Sequence, residues 1–158
     1  MSRSKAPSIS LPLTSSLSRQ LLAVLIASLA ATTANVILYF LLKNLLGVKF
    51  IAPEQFPHPE VSPLPVSDVI IFSAVFSIGA GLVFLIVANT VRRPAQVYSI
   101  ISVIVLVLSC FLPLRIPTPP VPMLTKLSLI SMHILGAVVL VPLFIIIGLP
   151  QKTKETEI

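Results

Sequence analysis

The sequence predicts an all-α protein: a membrane four-helix bundle with both termini cytoplasmic and two proline-rich extracytoplasmic loops. Three observations predict it. Only 10% of the 158 residues are charged and the mean hydropathy is +1.05, where a soluble domain carries about 25% charge. The intervals 20–42, 69–91, 94–114 and 127–151 contain no Asp, Glu, Lys or Arg, and a bilayer core takes about 20 apolar residues as a helix. Ten of the 15 prolines fall in the two stretches 43–66 and 113–122, so the spans alternate with segments that cannot continue a helix.

The elements follow in order. Residues 1–18 are Ser- and Pro-rich and read as a disordered cytoplasmic tail. The membrane domain covers 19–150, with helices over about 20–42, 67–89, 95–112 and 124–149, and 151–158 forms a second cytoplasmic tail. Arg3, Lys5 and Arg19 ahead of an apolar run resemble the start of a signal peptide, with Thr32-Thr33-Ala34 as a small-residue cleavage site. The run continues uncharged to Leu42, however, which is long for a signal peptide and right for a span.

Helix 2 begins at Ser67 and Asp68, a capping residue type followed by an acid suited to a helix N-terminus. The short turn Thr90-Val91-Arg92-Arg93-Pro94 makes helices 2 and 3 antiparallel neighbours. Pro94 fits the first turn of helix 3, and Gly148 with Pro150 ends helix 4. Pro142 strands the Val138 carbonyl, so a kink is expected in helix 4.

Orientation comes from the basic residues. Arg3, Lys5, Arg19, Arg92, Arg93, Lys152 and Lys154 gather on one side, and Lys43, Lys49, Arg115 and Lys126 on the other. The richer side is cytoplasmic by the positive-inside rule. Tyr39 and Tyr98 fall near helix ends, as interfacial aromatic residues do. The prolines of the outer loops act as stiff spacers or form a recognition surface.

Composition also limits function. The net charge of +6 flanks the spans rather than gathering on one soluble face, so no nucleic-acid partner is expected. The partner is the lipid bilayer, and the expected location is the cell membrane, the bacterial inner membrane. Cys110 is the single cysteine, too few for thiol–disulfide shuttling. His58 in Pro57-His58-Pro59-Glu60 is isolated from other ligand types, so no metal and no cofactor are expected. The sequence holds no paired intramembrane carboxylates, no Gly-rich phosphate loop and no HExxH pattern, and an enzyme is not expected.

Inside the spans the polar residues are few. Ala23, Ala27, Ala31 and Asn35 recur every four residues on helix 1, and Ser73, Ser77 and Gly81 on helix 2. Such small-residue stripes let helix backbones approach closely, within one chain or across a homo-oligomer. His133 is the one ionisable group inside a span, and such groups mark candidate sites. At about 1.5 Å rise per residue, Asn35 and His133 lie within about 3 Å of the same depth. They form either an interhelical clasp worth about 0.6–2 kcal/mol or a ligand or proton site.

Four landmarks then occur in a telling order: Ala30-Ala31-Thr32-Thr33-Ala34-Asn35, a proline-bearing outer loop, the Arg92-Arg93-Pro94 turn, and Leu127-Ser128-Leu129-Ile130-Ser131-Met132-His133. Over about residues 18–149 the chain resembles a bacterial family of small four-helix integral membrane proteins known only as a domain of unknown function. That resemblance implies a multi-pass membrane protein of unassigned activity, singles out Asn35 and His133, and brings no catalytic residues. The expected role is a non-catalytic accessory or structural membrane component, with a homo-oligomer or another membrane protein as partner. The alternative is a small-ligand binding or transport unit built around Asn35 and His133.

Overall fold

A computed structural model describes residues 13–53, 61–115 and 121–150. The four helices are α1 (Leu13–Leu45), α2 (Val66–Thr90), α3 (Pro94–Arg115) and α4 (Met123–Gly148). All four are long and apolar enough to cross a membrane. The outward faces are predominantly aliphatic and aromatic, with Leu25, Leu29, Phe76, Ile86, Leu108 and Val138 each 62% exposed or more. A water-soluble bundle would put polar side chains there. These are lipid-facing surfaces, and the molecule is a multi-pass membrane four-helix bundle.

Consecutive helices are neighbours, and α1 packs most extensively against α4, closing the ring α1–α2–α3–α4. α3 contributes only Tyr98 and Pro113 to the buried interior. α1 contributes a full stripe: Gln20, Ala23, Ala27, Ala31, Asn35 and Tyr39 are each at most 9% exposed. Their spacing of three and four residues keeps them on one face.

Two apolar clusters fill the bundle. The first joins Ala23, Ala27, Phe84, Val87, Tyr98 and Phe144. Phe84 and Phe144 stack with centroids 5.2 Å apart. Tyr98 meets both edge-on, at 5.3 Å and 5.8 Å, a geometry aromatic quadrupoles favour. The second cluster, towards the other end, joins Tyr39, Val48, Phe50, Val69 and Met132. Both tyrosines, expected at the lipid interface, are therefore core residues. Tyr39 hydrogen-bonds the Leu64 carbonyl at 3.0 Å and Tyr98 the Ala80 carbonyl at 3.4 Å, which satisfies each phenol without water.

The helix ends depart from the sequence reading in physical detail. α1 starts at Leu13, so part of the expected tail is helical; residues 1–12 lie outside the described residues, as does the tail 151–158. The N-cap of α2 is Pro65, and Ser67 donates to the Asp68 carboxylate at 3.3 Å instead of capping the backbone. α3 runs past Leu112 to Arg115 with Pro113 in its last turns, where a missing N–H removes only one ladder bond. α4 continues through Pro142 to Gly148.

The first proline-rich segment is not merely a spacer. Strands β1 (Ile51–Pro53) and β2 (Val61–Pro63) pair antiparallel, with Ile51 opposite Pro63 and Pro53 opposite Val61. A two-stranded ribbon is all edge, the setting in which proline is tolerated. The His58 stretch and residues 116–120 lie outside the described residues.

Candidate intramembrane polar site

Asn35 reaches the interior because it continues the alanine stripe of α1. Three alanines below it bring α1 close to its neighbours, and its side chain then meets α2. Its Nδ2 donates to Ser73 Oγ at 3.1 Å. On α4, Gly136 faces the same amide: a Cβ there would lie 3.6 Å from Asn35 Nδ2, in ordinary contact. Asn35 is 9% exposed, and its Oδ1 is buried without a hydrogen-bond partner. A buried polar atom left in that state costs about 1–3 kcal/mol.

His133 lies three residues before Gly136 on α4 and does something different. Its Nδ1 lies 2.7 Å from the Leu129 carbonyl of its own helix. A carbonyl can only accept, so Nδ1 is the donor in this contact. Asn35 and His133 share no hydrogen bond among the described residues. The cross-bundle partner of Asn35 is Ser73, a residue that its spacing on α2 had marked only for packing.

The packing stripe is placed as follows. Ala27 is 0%, Ala31 1% and Ser77 2% exposed, and Gly81 is buried. All face other helices of the same chain. Gly81 is tightly packed: an added Cβ would stand 2.6 Å from Val24 Cγ1, well inside the ~3.5–4.0 Å of a normal carbon contact.

A second polar pair went unnoticed in the sequence. Gln20, 2% exposed, accepts from Asn89 Nδ2 at 2.9 Å, and the same amide donates to the Leu85 carbonyl at 2.7 Å. Both residues sit at the ends of charge-free intervals and so read as boundary markers. The signal was available, since Gln20 lies three residues before Ala23, on the same face as the stripe. The two amide layers, Asn35–Ser73 and Gln20–Asn89, fix α1 against α2 at two depths. In lipid each interhelical bond of this kind is worth about 0.6–1.7 kcal/mol. Among the described residues, no group of three or more His, Cys, Asp or Glu is placed to hold a metal ion, and Cys110 is a half-buried free thiol on α3.

No curated protein and no solved structure matches the chain. A family model described as a family of unknown function, DUF6069, matches residues 15–146. The match takes in α2 and α3 whole and nearly all of α1 and α4, with both amide layers inside it, and the chain belongs to the DUF6069 family.

Proposed function

We propose that this protein is a non-catalytic accessory or structural component of the cell membrane, with both termini cytoplasmic and the hairpin loop outside. The observation that carries this reading is where the intramembrane polar groups go. Asn35 bonds Ser73, Gln20 bonds Asn89, and His133 bonds its own helix. Each is occupied in holding the chain together, as expected of a scaffold whose surfaces rather than interior meet a partner. Orientation rests on the excess of Lys and Arg on the side of the termini and the 2–3 turn.

The unpartnered Asn35 Oδ1 favours a second reading, a small donor-bearing ligand held between Asn35 and His133. Native mass spectrometry of protein released gently from its own membrane separates the two. The scaffold reading expects a chain free of any small molecule other than phospholipid, or one carrying another polypeptide. A stoichiometric small molecule lost in both Asn35→Ala and His133→Ala refutes it. Orientation is tested in a Cys110→Ser background: a cysteine placed within residues 54–64 should react with an impermeant label on intact cells. Reaction only after permeabilisation reverses the topology.

A further inference from the structure

We infer that the end of α1 and the hairpin form a binding site for one anionic phospholipid, with the head group at Lys43 and Lys49 and an acyl chain along Phe40 and Ile37. A cavity of about 600 Å³ lies there, lined among others by Tyr39, Lys43, Gly47, Lys49, Phe50 and Leu64. That volume falls within the ~300–1,000 Å³ range of ligand sites.

The backbone builds this cavity deliberately. Gly47 adopts φ +61°, a left-handed conformation in which glycine carries no steric penalty. The N–H groups of Leu46 and Val48 both turn back to the Leu42 carbonyl at 3.2 Å. The chain then runs extended, so alternate side chains face opposite ways: Val48 and Phe50 are 3% and 5% exposed, while Lys49 between them is exposed. The Lys49 carbonyl is pinned by Thr125 Oγ1 at 2.7 Å, and the Phe50 carbonyl by Leu64 N–H at 2.9 Å. Lys49 is thus held out on an anchored segment.

Three features select the occupant. Depth is the first: Lys43 directly follows the charge-free interval ending at Leu42, which places its ammonium where head groups begin. Charge is the second. Lys43 and Lys49 are both exposed, the cavity lining contains no acidic residue among the described residues, and Lys43 Nζ stands 5.6 Å from the Tyr39 ring centroid, a cation–π distance that orients it. Continuity is the third. Ile37 and Phe40, 55% and 44% exposed, precede Lys43 at intervals of three on one helix face. The apolar strip therefore leads from the lipid-facing side of α1 into the cation pair, the layout of a diacyl lipid with an anionic head. The site does not depend on which leaflet it faces.

The test uses the full chain in nanodiscs of phosphatidylcholine with a minor fraction of phosphatidylglycerol, followed by native mass spectrometry. One phosphatidylglycerol per chain should be retained in preference to phosphatidylcholine. Loss of each lysine should weaken retention about fivefold, so Lys43→Gln with Lys49→Gln weakens it about 25-fold while Lys43→Arg with Lys49→Arg retains it. Both lysines are exposed, so helical content should be unchanged. Arg92→Gln with Arg93→Gln removes the same charge from the opposite end and should leave retention intact. Equal retention of phosphatidylcholine, equal loss in the arginine control, or no loss in the lysine variant overturns the site. Displacement of the lipid by inorganic phosphate at matched concentration assigns the cations to a soluble anion and overturns it as well.

Discussion

Two glycines of α2, two residues apart, should respond in opposite ways to the same added methyl group. At Gly81 the new Cβ would meet Val24 Cγ1 at 2.6 Å, Cγ2 at 3.0 Å and Cβ at 3.3 Å. Relief by rotating Val24 is denied, because valine in a helix has one strongly preferred rotamer and both its methyl groups are involved. The helices must separate by several tenths of an ångström, and overpacking of this kind costs about 1–3 kcal/mol. Replacing glycine inside a helix recovers about 0.8–1 kcal/mol, so Gly81→Ala should lose up to about 2 kcal/mol net. Gly79 has nothing within 4 Å of its Cβ position and keeps only the gain. Gly79→Ala should be neutral or stabilised by up to about 1 kcal/mol. The decisive experiment is a double-mutant cycle of Gly81→Ala with Val24→Ala, read by reversible unfolding in mixed micelles. Val24→Ala removes the two clashing methyl groups, so the double variant should be about 1–3 kcal/mol more stable than the sum of the singles. Additivity within about 0.5 kcal/mol, or a loss at Gly79 equal to that at Gly81, would falsify the close α1–α2 approach.

Other consequences are simpler. Phe84→Ala should be the most damaging single truncation, about 3–5 kcal/mol in the same unfolding assay, because the ring is fully buried between Phe144 and Tyr98. Ser73→Ala should cost about 0.6–1.7 kcal/mol, and adding Asn35→Ala should cost little more, since both remove one bond; fully additive losses would contradict the pairing. Thr125→Val leaves the Lys49 carbonyl without its donor. It should cost about 1 kcal/mol and speed hydrogen exchange of the Leu64 amide, which bonds the adjacent Phe50 carbonyl, while an unchanged exchange rate would show that the hydroxyl does not anchor the loop.

The number and order of the spans were legible because each rests on a bulk property, the absence of charge over about 20 residues. The alanine stripe was legible because a spacing of four is a geometric statement about one helix face. The partners were not. The spacing puts Asn35 and His133 at similar depth, yet depth leaves rotation about each helix axis free, and rotation decided that Asn35 faces Ser73 while His133 turns back on Leu129. Tyr39 and Tyr98 misled for the same reason, since a residue near a helix end can point to lipid or inward. The hairpin was hidden by its prolines, which argue against a strand in a wide sheet but not in a two-stranded ribbon.

The closure of the bundle by α1 and α4 bears on how the molecule is made. These two helices form the broadest packing surface in the chain, and of the four helices α1 is synthesised before the others and α4 after them. Until α4 is inserted, the face of α1 that carries Gly136's neighbour Asn35 and the alanine stripe meets only α2 and lipid. Assembly thus ends, rather than begins, with the largest interface. A chain cut short before α4 would present that half-covered groove to the membrane, the state from which intermolecular mispairing and quality-control recognition of unfinished bundles arise.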